Sequence, residues 1–156
     1  MFSFSIRRGS QSFKEYVLDD TGYKDRDGKP LKEGFDYKVK SRIEVREIKV
    51  SMNNGSKKSM LIDEKQVVFW SRKYADKARA EREETIKRAY DIITNPKKHN
   101  KDSLHGAAVY IKNITFDKKT GEIYEKPGKK MVFNDEKAAE DAKYDGYYCI
   151  ITSELE

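Results

Sequence analysis

The chain has 156 residues, of which 37% are hydrophobic, 12% aromatic and 38% charged. That is the size of one ordinary domain, with enough apolar surface for a modest core and a heavily solvated exterior. The composition excludes a disulfide-stapled scaffold, because Cys149 is the single cysteine, and a bilayer-spanning helix, because no apolar run approaches the roughly 18 residues needed.

The net charge of +6 is unevenly spread. Residues 134–156 hold seven acids against two lysines, a balance of −5, which leaves +11 on residues 1–133. A basic body suits a polyanionic partner, although a lysine-rich solvated surface explains the same numbers. A lone cysteine suits a reducing, cytoplasmic setting, and its place in Tyr147-Tyr148-Cys149-Ile150-Ile151 predicts packing rather than reactivity. His99 and His105 with one distant cysteine make no zinc set, and no signal peptide is recognisable.

In chain order, Phe2-Ser3-Phe4-Ser5-Ile6 alternates at period two and predicts a strand over residues 2–6. A strand with no lead-in suggests a piece of a larger chain. Gln11 to Leu18 predicts a short helix capped by Ser10, with Phe13, Tyr16 and Val17 on one side. Residues 19–36 read as a loop. A long strand follows through Tyr37, Val39, Ser41, Ile43 and Val45. Its apolar register then jumps by one to Ile48 and Val50, which predicts a bulge. Asn53-Asn54-Gly55 predicts a type I′ hairpin turn, with Met60-Leu61-Ile62 and Val67-Val68-Phe69-Trp70 as return strands.

Ser71 is expected to cap the longest helix, residues 72–94, with Ala75, Ala78, Ile86, Ala89 and Ile93 on one face packed on a sheet. Arg72, Lys73, Lys77, Arg79, Arg82, Lys87 and Arg88 load the rest of that helix, interleaved with Asp76, Glu81, Glu83 and Glu84. Asn95-Pro96 ends it. Val109-Tyr110-Ile111 and Ile123-Tyr124 predict a second hairpin around Lys118-Lys119-Thr120-Gly121. A short helix over 135–143, capped by Asn134, and a strand over 147–152 complete the chain. The expected class is α+β: one antiparallel, β-rich domain over residues 1–156, with one long helix and short helices near 11–18 and 135–143.

No Gly-rich phosphate loop, HExxH, CxxC or GxSxG is present, and no subset of the 27 acids stands out as a two-metal site. Lys40, Arg42 and Arg46 alternate along one strand and so share a face, as a phosphate track or as a solvated sheet face. Arg72, Lys73, Lys77 and Arg79 are open to the same two readings. Trp70, at a strand end, is expected to pack rather than stack on a base.

Particular segments add a resemblance. Phe2 to Ser10 (FSFSIRRGS) with Phe13 to Asp20 (FKEYVLDD), Lys40-Ser-Arg-Ile43 with Arg46-Glu47, Val67 to Tyr74 (VVFWSRKY) leading into Lys77 to Arg82, and above all Lys143 to Glu154 (KYDGYYCIITSE) resemble bacterial insertion-sequence transposases. The family meant is the large DDE class with a β-rich insertion in a ribonuclease H-like core, and the resemblance runs in order along essentially the whole chain. It implies the segment between the second catalytic Asp and the catalytic Glu, with core strands at 2–6 and 147–152. The helix signature that carries the family's Glu, Tyr-x2-Arg-x3-Glu-x6-Lys, is absent, and neither Glu154 nor Glu156 sits in such a signature. The resemblance therefore implies no catalytic residue and no cofactor in this chain, with Mg²⁺ or Mn²⁺ expected in the parent enzyme. The partners it implies are the transposon-end DNA and the remainder of the transposase, with no membrane. It also places Tyr148 where relatives carry an aromatic, more usually Trp, against a flipped-out base. Two other readings are a structural remnant with no binding of its own and a small independent enzyme, the latter lacking any convergent site.

Overall fold

A computed structural model describes the backbone of residues 2–4, and residues 6 and 9–155 in full. Ser5, within the expected first strand, lies outside the described residues, as do Arg7, Arg8 and Glu156. The chain is α+β, with antiparallel sheets and, among the described residues, one long α-helix and two shorter ones. Its contacts divide it into two compact units, one running to Ala75 and resuming at Gly146, the other spanning Asp76–Asp145.

The first unit is built on a four-stranded antiparallel sheet. Strand β1 (Phe2–Phe4) is followed by helix α1 (Gln11–Leu18), strands β2 (Tyr37–Ser51) and β3 (Lys57–Ser71), the start of helix α2 (Arg72–Thr94), and finally β8 (Tyr147–Thr152). The strand order is β1-β8-β3-β2. Ser10 caps α1 as expected, its hydroxyl accepting from the Phe13 amide at 3.2 Å. Phe13 and Val17 on α1 are buried, as are Tyr23, Val68 and Cys149 of the same unit. The Tyr23 hydroxyl donates to the Val17 carbonyl at 2.6 Å and so ties the 19–36 loop to α1.

Three expectations for the hairpin need correction. The register of β2 on β3 is continuous from Tyr37↔Ser71 to Ser51↔Lys57, with no bulge. The apolar residues change face because no layer covers the outer part of the hairpin; Ile43, Val45, Met60 and Leu61 are all exposed, so burial does not select a face there. The turn is not type I′, which needs positive φ at both central residues. Among residues 53–55 only Gly55 has positive φ, +79°, and its amide donates to the Met52 carbonyl at 2.9 Å. With Met52 N–H donating to the Ser56 carbonyl, this is a three-residue loop closed by a left-handed glycine. The two expected return strands are one, β3.

In the second unit, α2 continues from Asp76 and buries Ala89 and Ile92, with Ile86 and Ile93 at the edge of the cluster. Their partners are Leu104, Ala107, Tyr110, Ile111, Ile123 and Met131. Where a sheet was expected beneath the helix, this cluster is made of 3-10 turns (Pro96–Lys98, Lys101–Ser103, Ala107–Tyr110) and two short two-stranded ribbons. The ribbons are β4 (Ile111–Lys112) with β7 (Val132–Phe133), and β5 (Thr115–Phe116) with β6 (Ile123–Tyr124). The second hairpin is thus β5–β6; Val109 and Tyr110 lie in a 3-10 turn entered through Gly106 at φ +83°. Helix α3 (Asp135–Ala142) is capped by Asn134. Its buried Asp141 accepts from the Tyr110 hydroxyl at 2.9 Å and pairs with Lys137 at 2.6 Å, and Arg82 pairs with Asp145.

Candidate nucleic-acid interface

Strict pairing of β2 with β3 sorts their side chains onto two faces. Lys38, Lys40, Arg42 and Arg46 share one with Trp70, Val68, Gln66 and Glu64; Tyr37, Val39, Ile43 and Val45 share the other with Phe69, Val67 and Leu61. The Lys40, Arg42 and Arg46 alternation is therefore real, but its inner end lies on the face that α1 and the 19–36 loop cover.

Lys40 is buried, and its ammonium donates to the backbone carbonyls of Asp19 and Thr21. It lies 4.3 Å from the Tyr16 ring centroid and 4.2 Å from that of Tyr23. Desolvation lowers its pKa from the ordinary lysine value, with the Asp19 charge opposing. Lys38 is buried too, 2.9 Å from Asp20 and 4.2 Å from the Tyr23 centroid. Burial alone pushes its pKa down, but hydrogen bonds with Tyr147 and Asp20 outweigh it and leave the ammonium above its ordinary value. Arg42 stacks over Tyr16 at 4.2 Å, donates from Nε to Gln66 at 2.9 Å and pairs with Glu44 at 3.1 Å. Cations over ring faces are worth about 0.5–2 kcal/mol each, so this row fastens α1 and its loop to the sheet. Lys40 is thereby corrected from a phosphate contact to a structural cation: its side chain is buried, and two of its three N–H donors are taken by backbone carbonyls.

Beyond that row the hairpin leaves the sheet. On β3, β8 pairs with Lys65–Trp70, so residues 44–64 continue as a two-stranded ribbon with no third strand among the described residues. At about 3.4 Å per residue, the eight residues from Glu44 to Ser51 reach roughly 27 Å. Arg46 sits on this ribbon with its side chain 62% exposed, paired with Glu64 at 3.1 Å. Lys49, Lys57 and Lys58 stand exposed near the tip. Sequence reading passed over these three because it followed the apolar alternation; the Asn-Asn-Gly turn beside them was the available signal.

At the start of α2, Ser71 caps the helix by accepting from the Tyr74 amide at 3.2 Å. Arg72 is exposed and donates to the Phe35 carbonyl, and Lys73 is exposed. In the second unit, Lys77 and Arg79 are exposed and paired along the helix with Glu81 and Asp76. Ion pairs of this kind contribute about 0–1 kcal/mol, so a phosphate competes for them readily.

Tyr148 lies on the open face of the sheet and is 37% exposed. Its ring stacks on Phe69 at 4.8 Å with an interplanar angle of 12°, and Tyr74 meets it edge-on at 5.5 Å. Trp70 points to the covered face and packs against Phe35, with centroids 5.6 Å apart, as expected of it.

No family model, curated protein or solved structure matches the chain. Chemistry therefore rests on the residues themselves. Among the described residues, no group of three His, Cys, Asp or Glu side chains is placed to hold a metal ion. Cys149 is buried, its thiol pushed up to about 11 by desolvation, with Glu64 adding to the shift. Among the described residues, no helix is long and apolar enough to cross a membrane. The first unit offers exposed cations on a projecting ribbon and at the start of α2, together with exposed aromatic rings; the second unit carries exposed Lys77 and Arg79 on the rest of that helix.

Proposed function

We propose that this chain is the DNA-contacting insertion domain of a bacterial insertion-sequence transposase, acting in the cytoplasm and without catalytic competence of its own. The observation that carries the reading is the projecting ribbon. It is two strands wide, uncovered on both faces, and bears Arg46, Lys49, Lys57 and Lys58. A two-stranded ribbon is one of the elements that the major groove of B-DNA, about 12 Å wide, admits. The pairing of β1 with β8 in register Phe2↔Ile151 to Phe4↔Cys149 adds support, since it brings the two ends of the segment side by side, as suits a domain inserted in a host fold. In the same unit Arg72 and Lys73 supply further phosphate contacts, and in the second unit Lys77 and Arg79 are exposed cations open to the same role; Arg42, stacked on Tyr16 and paired with Glu44, belongs to the structural row instead. In the parent enzyme the carboxylates that hold Mg²⁺ or Mn²⁺ would come from outside this chain, and its remaining partner is the rest of the transposase.

The test is duplex DNA binding by the purified chain and by a variant with Lys49, Lys57 and Lys58 changed to Glu. The proposal expects weak, mostly sequence-independent binding by the native chain and a loss of at least about tenfold in the variant. No binding even at low salt favours the second reading, a structural remnant of a transposase.

A further inference from the structure

β2 is the outermost strand of its sheet, and its outer edge is open. Among the described residues, the one pairing on that edge is a bridge at Val39. There the Lys24 N–H donates to the Val39 carbonyl at 3.0 Å and the Val39 N–H to the Lys24 carbonyl at 2.9 Å. Backbone groups point alternately to the two sides of a strand, so the bridge fixes which residues look outwards: the odd-numbered ones, from Ser41 to Ser51. Proteins usually blunt such an edge with a short strand, a proline, a bulge or a cover. This strand has 15 residues, no proline and an unbroken register, and it is covered at Val39 alone among the described residues.

The charges along the outer part of this edge choose the occupant. Two copies of one edge pair antiparallel about a two-fold axis, which sets residues of the same parity opposite one another. With Ile48 opposite Ile48 of a second copy, Glu47 meets Lys49 twice over, Arg46 meets Val50 and Val45 meets Ser51. The register on one side sets Glu47 against Glu47, and the register on the other sets Lys49 against Lys49. One step deeper sets Arg46 against Arg46, and the step after that brings Ser51 opposite Val39, a place that Lys24 already holds. Like charges directly opposite are destabilising, so the register centred on Ile48 stands out. It also joins apolar side chains. β3 sets Met60, 47% exposed, beside Ile48, so the row across the two copies reads Met60, Ile48, Ile48, Met60.

We propose that residues 45–51 of β2 pair with the same residues of a second copy of this chain, in the register centred on Ile48, and so join two hairpins into one four-stranded antiparallel sheet. The odd residues exchange backbone hydrogen bonds. The two Ile48 residues form a pair without hydrogen bonds, the kind in which Cα atoms come within about 4.5 Å. A short stretch of strand on each side makes a small interface, of the class that associates reversibly. The proposal goes beyond the DNA-contacting reading and does not rest on it. The major groove admits a ribbon two strands wide, so a four-stranded sheet belongs to the chain free of DNA.

The experiment measures self-association of the whole chain, without DNA, by sedimentation equilibrium. The native chain should form dimers. Glu47→Lys and Lys49→Glu should each weaken them about five- to hundredfold, because each turns two attractive pairs into repulsive ones. Mixed together, the two variants should form a heterodimer of about native strength, since Lys then meets Glu at both pairs. A double variant carrying both changes should recover in the same way as a homodimer. Glu47 and Lys49 are exposed, so these variants keep the fold, and circular dichroism checks that they do. A second readout tests the register. Ile48→Cys should form an interchain disulfide on mild oxidation, because facing Cα atoms about 4.5 Å apart lie within disulfide reach. Met60→Cys, one strand further from the axis, should not, and native Cys149 is buried. A native chain that stays monomeric up to its solubility limit overturns the proposal. Dimers indifferent to both single variants place the contact elsewhere and overturn it too, as do single variants that fail to recover on mixing. Ile48→Cys that crosslinks no faster than Met60→Cys overturns the register.

Discussion

Gly146 leads into β8 and so sets where Tyr148 is presented, and replacing it with Ala tests that packing. Its φ is +86°, and a Cβ built on it would lie 2.7 Å from Ala75 Cβ, 2.7 Å from Trp70 Nε1 and 2.8 Å from the Ser71 carbonyl oxygen. Carbon atoms in contact sit about 3.5–4.0 Å apart, so the added methyl must push neighbours away by roughly 1 Å. Two of those neighbours cannot swing aside: Ala75 is a methyl on a helix, and the Ser71 carbonyl is backbone. Gly55 is the matched control, with φ +79° and nothing within 4 Å of a built Cβ. Gly55→Ala should cost only the left-handed strain, about 1–2 kcal/mol. Gly146→Ala should cost that strain plus overpacking of about 1–3 kcal/mol, or about 2–5 kcal/mol in all. Urea unfolding followed by Trp70 fluorescence, which reports from the affected site, measures both. Equal losses in the two variants would refute the steric argument, since their backbone strain is nearly the same.

Three further outcomes follow from the described contacts. Tyr110→Phe should destabilise the second unit by about 1–3 kcal/mol in urea, because the buried Asp141 carboxylate loses a hydrogen-bond donor; an unchanged midpoint would contradict that bond. Cys149 should resist alkylation at neutral pH in the folded chain and react after denaturation, since its thiol is buried and raised to about 11; labelling of the native protein at the denatured rate would contradict its placement. The folded-state pKa of Lys40 is depressed below 10.5, so the unfolded chain binds more protons in the window beneath that value, and this lysine's contribution to stability should rise with pH through it. The stability of the native chain relative to Lys40→Met should therefore grow from pH 8 towards about 10; a constant or shrinking difference would show the ammonium to be solvated.

Much of the fold is legible in the residues because local signals and burial agree there. Ser10, Ser71 and Asn134 mark helix starts, and each is observed accepting from an amide of the first turn. The period-two pattern of Tyr37 to Val45 and the apolar run of Tyr147 to Thr152 both report strands, although on β2 it is Lys38 and Lys40 that face the covered side and the apolar set that faces the open one. Legibility fails where burial stops choosing. On the outer ribbon neither face is covered, so the shift from Val45 to Ile48 looks like a bulge and is not one. Around Val109 and Tyr110 the apolar pattern fits a strand, but Gly106 turns the chain into a 3-10 segment that delivers Tyr110 to Asp141. The same gap affects the site. Parity alone places Lys40, Arg42 and Arg46 on one face, but only the position of α1 decides that Lys40 faces inwards, against Tyr16 and Tyr23, while Arg46 faces solvent. Tyr37, Phe69 and Tyr148 are far apart in the chain, and only the register of β2, β3 and β8 brings them onto one face side by side.

The central claim is that exposed cations of this chain meet DNA phosphates, and the salt dependence of duplex binding tests it most directly. If about four to six phosphates are neutralised, log K should fall linearly against log salt concentration with a slope of roughly −4 to −5, and changing Lys49, Lys57 and Lys58 to Glu should make that slope shallower. An affinity that stays level between low and moderate salt, or a slope untouched by those three changes, would contradict the account.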